Sequence, residues 1–427
     1  MINRTLQPSL KAIDKIDFIK PRVFDVGVKT KLFCVTNVPN ETARFDLYFD
    51  AGTIRGSKHI ASFVNGLLLS GTKTKTSIEI NEAIDALGGY IESGVSNENA
   101  VFSIYALREN IIPIARIVQD AIQNCIFNEQ EVTELINDRK QKFKVGLEKV
   151  STLAQRALRQ RLFSNSEKYS TVGDLKDFDA ISKNDLIDFH QHYYLNGLNR
   201  MVLIGNFDLD TIDAFMEIFA SWNNSKELLF ESDFENLKGH SHIEKEGAVQ
   251  TAIRVARPLF NKNHPDYIDF LVLHTILGDY FGSRLMSNIR EDKGYTYGIG
   301  SLVSELQETG YFMIATEVGK EVKDATLKEI QFELERVQNE LVSIEELNLV
   351  KNYMLGQLLK SADGPYSMMD LFLSVEMQQL EMDFYNQAIA GIHAITPERI
   401  QELAKKYCLS EKTIKSIYLR VKKRGEE

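Results

Sequence analysis

Residues able to bind a metal or attack a bond are few in this sequence. Its eight histidines include two closely spaced pairs, His190-Gln191-His192 and His240-Ser241-His242. An H-x-H can chelate a metal from a strand. In the first pair the His192 ring is expected to pack or hydrogen-bond within the structure. The second falls among Gly, Ser and Lys in a polar connection. His59 opens a helix but has no His or carboxylate at i+3 or i+4, so a helical metal site lacks its second ligand; an exposed or capping place is expected for it. The three cysteines, Cys34, Cys125 and Cys408, show no close pairing. They read as buried small apolar residues, which points to a reducing compartment and to no Cys-based metal site. Ser62 has no evident base partner, and the sequence around Gly282 is not a phosphate-binding loop.

The elements that position these residues come in two copies. IDALGGYIESGVSNENAVFSIYALRENIIPIARIVQDAI begins at Ile84, and IREDKGYTYGIGSLVSELQETGYFMIATEVGKEVKDATLKEI begins at Ile289. Each opens on a helix end with Gly-Tyr (Gly89-Tyr90, Gly294-Tyr295) and places a serine six residues on (Ser96, Ser301). Each then runs through a polar turn into an apolar strand (Ala100 to Leu107; Gly310 to Thr316) and a helix with apolar residues at helical spacing (Ile111 to Ile126; Val322 to Leu341). An acidic start marks the next helix at Glu129-Gln130-Glu131 and Glu345-Glu346. The pattern predicts strands at Phe33 to Val38, Ala43 to Phe49 and Met201 to Ile204. Arg44 to Phe49 alternates polar and apolar, the mark of a strand with one wet face. The fold class is therefore α+β: two similar halves, each a mainly antiparallel sheet covered by helices. The expected boundaries are 1–222, a linker at 223–248, and 249–427.

Composition limits the partners. The chain has 427 residues, 44% hydrophobic and 26% charged, with a formal net charge of -10; this suits a folded protein of two large domains and argues against nucleic acid or an anionic membrane as the partner. No apolar run is long enough to span a bilayer, and the first residues carry no secretory signal, so the expectation is a cytoplasmic protein with no membrane association. Arg156, Arg159 and Arg161 read as a solvated basic helix face and Val421 to Arg424 as a basic tail.

Order and spacing together resemble the pitrilysin/insulinase-type (M16) metallopeptidases over nearly the whole chain. The likeness is carried by a strand leading to Ala51-Gly52-Thr53, a helix from His59 to Leu69 ending in Ser70-Gly71-Thr72, then Leu87-Gly88-Gly89. It continues through Phe189-His190-Gln191-His192-Tyr193-Tyr194, Asn199-Arg200-Met201-Val202-Leu203, Ser283-Arg284-Leu285 and Arg290 to Tyr297. In that family H-x-x-E-H on a helix holds Zn²⁺, with the Glu as general base and a third ligand, a Glu, on a later helix. Alignment on Leu69 to Thr72 puts Ser62 and Gly66 at the His positions and Asn65 at the base. The third-ligand position falls on Gln141 or Lys142. These residues make no zinc site and no general base, so no cofactor is expected, with zinc only in a partner subunit.

The resemblance also implies a surviving contribution from the second half. Arg290 and Tyr297 match an Arg and a Tyr that reach toward the substrate; their donors suit a peptide carbonyl or an oxyanion. From the residues alone, an Arg ending an amphipathic helix and a Tyr packing on a strand is an equal reading. Arg284 reads as structural and Tyr295 as core. The implied fold is half of a clamshell, and the implied role is a non-catalytic partner subunit paired with an H-x-x-E-H chain. A homodimer in isolation is the other assembly considered, with an unfolded peptide as the substrate. The alternatives are a purely structural core-type subunit and an independent metallopeptidase with a non-standard metal site.

Overall fold

The computed structural model describes residues 12–56, 59–170, 172–222, 239, 241–408 and 415–420. Eleven strands are found among them: β1 (Arg22–Val26), β2 (Thr30–Val35), β3 (Thr42–Phe49), β4 (Tyr90–Val95), β5 (Ala100–Leu107), β6 (Leu198–Ile204), β7 (Ser241–Glu244), β8 (Gln250–Leu259), β9 (Thr296–Glu305), β10 (Gly310–Gly319) and β11 (Lys415–Arg420). The principal helices are α1 (Ile60–Leu67), α2 (Ser77–Asp85), α3 (Ile111–Gln123), α4 (Glu129–Leu147), α5 (Val150–Leu162), α6 (Lys183–His190) and α7 (Leu209–Phe219) in the first half of the chain. The second half has α8 (Tyr267–His274), α9 (Lys323–Asn339), α10 (Ile344–Ser361), α11 (Gly364–Glu376) and α12 (Pro397–Tyr407).

The strands form two sheets of the same topology, β1-β2-β6-β3-β5-β4 and β7-β11-β8-β10-β9. Apart from β1, each strand of one has its counterpart in the other. The pairings are antiparallel except β2 with β6 and β7 with β11, which are parallel. The fold is thus α+β with two similar halves and mainly antiparallel sheets, as the repeat implied. Local chemistry agrees with the boundaries. Thr76 and Glu79 form a capping box that starts α2, and Asn128 and Ser343 cap the acidic starts of α4 and α10, satisfying backbone donors a helix start leaves open.

The halves exchange helices. From α5, Ala154, Leu158 and Leu162 pack on Ala252, Ala256 and Met313 of the second sheet. Its counterpart α11 places Met369 and Leu373 on Phe33, Val35, Val202 and Ile204 of the first. The N-terminal segment also crosses over: Ile16 is buried in the second core, and its N–H donates to Asn386 Oδ1 at 3.1 Å.

This exchange corrects two expectations. The polar face of β3 is not wet. Arg44 and Asp46 are both buried there, paired at 2.8 Å, and Arg44 also reaches Asp370 of α11 at 2.8 Å. The arginines of α5 are not a solvated face either. Arg159 donates to Tyr169 O at 2.6 Å and to Asn97 Oδ1 at 2.9 Å, and Arg156 lies over the Phe143 ring at 5.0 Å. The segment read as a linker contains β7, so the second sheet begins inside it. Val421 to Arg424 and His240 lie outside the described residues. No helix among them is long and apolar enough to cross a membrane.

Candidate functional site

Ser62, Asn65 and Gly66 lie on α1, a helix whose other residues Ile60, Ala61, Phe63, Val64 and Leu67 are buried in the first core. Ser62 Oγ donates to His59 O at 3.0 Å, so its lone pairs remain free to accept. Asn65 is buried, and its Nδ2 donates to Tyr194 Oη at 3.2 Å. The Tyr194 phenol is fully enclosed, and burial raises its pKa beyond the ordinary range. The base position therefore carries an amide engaged in packing, not a proton acceptor aimed at solvent.

The structure does not bring Gln141 or Lys142 to this site. Both are exposed, and Lys142 pairs with Asp138 at 2.8 Å on the outer face of α4. Arg139 is among the residues of α4 that meet α1. Its Nη1 donates to Ser62 Oγ at 2.7 Å, and its guanidinium lies 5.0 Å from the centre of the Phe63 ring. A Cβ at Gly66 would be 2.4 Å from Arg139 Nη2. Sequence periodicity carried this signal: Val132, Leu135, Ile136, Arg139 and Phe143 recur at helical spacing on one face, whereas position 141 falls opposite it and 142 at its margin. Burial lowers the Arg139 pKa.

A hydroxyl, an amide, a glycine and a guanidinium do not fit Zn²⁺, which takes thiolate, imidazole or carboxylate. The guanidinium adds charge repulsion at that place. No group of three or more His, Cys, Asp or Glu residues arranged to hold a metal is found among the described residues. The His190 and His192 rings are separated by the fold. His190 is buried with Nε2 2.6 Å from Ile122 O, whereas His192 is exposed with Nδ1 2.7 Å from Asp188 O. Burial lowers the His190 pKa. His242 lies on β7. His59 is at the N-cap of α1 without a side-chain cap bond, and its ring stands 4.3 Å from Phe178 and 5.3 Å from Phe143; it is half-buried rather than exposed.

Beside α1 is a cavity of about 480 Å³ lined by Asn65, Gly66, Tyr90, Ser93 and Glu131 among others. Tyr90 and Ser93 belong to β4, the outer strand of its sheet, whose second edge is unpaired among the described residues. The second sheet ends the same way on β9. The two edge hairpins meet at their tips, where Gln307 N donates to Glu98 Oε1 at 2.6 Å and Tyr169 Oη donates to the same oxygen at 3.0 Å.

Arg290 and Tyr297 come together at the start of β9. Arg290 Nε donates to Tyr297 O at 3.0 Å, and the guanidinium lies 4.8 Å from the centre of the Phe281 ring. The Tyr297 side chain points away: the residue is 94% exposed, and among the described residues its phenol has no hydrogen-bond partner. Phe281, which sequence reasoning missed, is 62% exposed. Arg284 is the buried, structural member of the group, held by both oxygens of Glu346 at 2.9 and 2.8 Å. Tyr295 packs partly buried against the second core.

Comparison with known proteins agrees with this fold. Residues 32–174 match the family model described as Insulinase (Peptidase family M16), and residues 180–354 match Peptidase M16 inactive domain. An uncharacterized zinc protease, YmxG, of Bacillus subtilis is 23% identical over 82% of this chain and 87% of its own length. An uncharacterized zinc protease of Rickettsia bellii is 25% identical over 82% of each chain. Among solved structures, a peptidase M16 inactive domain from Pseudomonas fluorescens superposes with a TM-score of 0.86 at 21% identity, covering 96% of this chain and all of the other. A protease from Helicobacter pylori gives 0.83 at 15% identity, covering 95% and all, respectively.

Proposed function

Since the chain belongs to the M16 peptidase family and its α1 residues do not fit zinc, we propose that it is a non-catalytic, peptide-holding subunit. It would work beside a second M16 chain that carries H-x-x-E-H. One observation supports this reading: Arg139 donates to Ser62, a residue at a ligand position of the family motif, while Arg290 and Tyr297 lie together at the start of an edge strand.

Each part has a physical task in that role. The unpaired edges of β4 and β9 offer backbone N–H and C=O groups to an extended peptide, which would add as a further strand. Only unfolded segments can pair in this way. The Arg290 guanidinium is anchored through Nε to Tyr297 O and by stacking on Phe281, which leaves its Nη donors for a substrate carbonyl. The Tyr297 hydroxyl is a second donor. Together they would supply the electrostatic stabilisation an oxyanion requires, in a site whose nucleophile comes from the partner.

The decisive experiment mixes this chain with an H-x-x-E-H subunit and follows cleavage of an unstructured peptide. Activity in the mixture should exceed that of either chain alone, and Arg290→Ala or Tyr297→Phe should lower it by about 10²-fold, the scale of one lost oxyanion donor. If the partner cleaves equally well without this chain, the shared-site reading is wrong. Both variants behaving as wild type in an active mixture would instead favour a purely structural subunit. Stoichiometric zinc in the purified chain, with peptidase activity of its own, would favour an independent enzyme.

A further inference from the structure

The cavity beside α1 carries charge of one sign only. Glu131 and Asp85 line it, and no Lys, Arg or His does. Among the described residues neither carboxylate makes an ion pair, and Glu131 accepts from Ser77 Oγ alone. Asp85 ends α2, in a last turn without a basic residue, where the helix dipole is already negative. Asn65 adds a neutral acceptor. It is 6% exposed and donates through Nδ2 to Tyr194 Oη, while its Oδ1 has no hydrogen-bond partner among the described residues. A buried acceptor left without a donor is unfavourable. Arg139 meets Gly66 but does not line the cavity, and it is engaged by Ser62 and the Phe63 ring. Leu69, Ile84 and Ile91 supply apolar wall. Acceptors beside apolar wall suit a group with a methylene stem and a donor-rich cationic head. The β4 residues Tyr90, Ile91 and Ser93 border the same cavity, so alternate side chains of a peptide added to that edge would be directed toward it.

We infer that the cavity walled by Asn65, Asp85 and Glu131 receives a cationic group of a peptide bound along β4. This inference rests on the peptide-holding reading above and names the substrate feature that it selects. The cation is either a basic side chain or the peptide's α-amine; both bring N–H donors and a positive charge to acceptors that lack them. The formal net charge of -10 favours the approach of such peptides over acidic ones. Asn65, at the base position of the family motif, cannot take a proton from water but can still accept one of these hydrogen bonds.

The test uses the full chain and an unstructured decapeptide with an amidated C-terminus and an uncharged dye, read by fluorescence anisotropy at neutral pH. The peptide is made in four forms, with a free or acetylated N-terminus and with Lys or norleucine at a central position. Norleucine keeps the stem of Lys and removes its charge. Wild type should bind at least one cationic form about tenfold more tightly than the acetylated norleucine form, the scale of one charge-assisted hydrogen bond. The acetylated Lys form and the free-terminus norleucine form identify which cation is read. Glu131→Gln and Asp85→Asn, which keep shape and lose charge, should each reduce the preference, and the double variant should abolish it. Binding of the acetylated norleucine form, held by the strand edge, reports that each variant is folded. Equal binding of all four forms to wild type, or an undiminished preference in the double variant, overturns the inference and leaves peptide holding in place. Failure of every form to bind wild type overturns both.

Discussion

Arg139 and Gly66 sit so close that a methyl group does not fit between them: the Cβ of an alanine at 66 would lie 2.4 Å from Arg139 Nη2 and 3.3 Å from Leu135 Cδ2. In a helix interior, Gly→Ala ordinarily stabilises by about 1 kcal/mol. Here the gain is opposed by displacement of the guanidinium and loss of its bond to Ser62, worth about 1 kcal/mol or more. Gly66→Ala should therefore be neutral or destabilising in the wild-type chain and stabilising by about 1 kcal/mol in an Arg139→Ala background. Urea unfolding of the double-mutant cycle measures the difference. Additivity of the two substitutions would show that the contact is not formed in solution.

Arg44 serves two carboxylates of unequal worth. Asp46 is fully enclosed; burial pushes its pKa up, and the Arg44 charge and hydrogen bond work against that rise. Asp370, on α11, leaves 55% of its side chain exposed. Asp46→Ala leaves the buried cation with only the half-exposed Asp370 and should destabilise by up to about 3 kcal/mol. Asp370→Ala should cost at most about 1 kcal/mol. Chemical denaturation of the two variants gives the ranking directly, and equal losses would contradict it.

His274 supplies a pH dependence. Its ring is buried, with Nδ1 2.8 Å from Ser301 Oγ, and burial lowers its pKa from 6.5 to about 4. The unfolded chain therefore takes up this proton at a higher pH than the folded one. The contribution to stability is complete above about 6.5 and is lost as pH falls toward about 4. A His274→Asn variant should show a flatter stability profile between pH 6.5 and 4 than wild type. Thermal melts across that interval provide the readout; parallel profiles would rule out His274 as the source.

Phe281 should matter to Arg290 without mattering to the fold. Removing its ring takes away a cation–π contact worth about 0.5–1 kcal/mol at an exposed site. Phe281→Ala is expected to leave the melting temperature within a degree or two of wild type. In the reconstituted mixture it should lower peptide cleavage by a few-fold, through a less ordered guanidinium. A loss as large as that of Arg290→Ala would mean that Phe281 itself holds the peptide.

The two-fold repeat was readable because hydrophobic period, capping residues and Gly-Tyr ends are local properties. The β5 strand and the start of α3 fall where the apolar pattern places them, and the acidic starts at Glu129 and Glu345 are real helix starts. The third position of the degenerate motif was misplaced because spacing from a distant helix drifts by a turn, whereas the inward face of α4 does not. The polar face of β3 misled for another reason: alternation records side-chain polarity, and a buried Arg–Asp pair has the same polarity as a wet surface.

By itself the sequence determined that there are two α+β halves, that Ser62, Asn65 and Gly66 make no zinc helix, and that Arg290 and Tyr297 stand seven residues apart. These follow from residue identity and short-range spacing. Only the tertiary structure decided that Arg139 meets Ser62, that α5 and α11 cover each other's sheets, and that the Tyr297 phenol has no hydrogen-bond partner among the described residues. Each depends on contacts between segments distant in the chain, which residue type and local spacing do not encode.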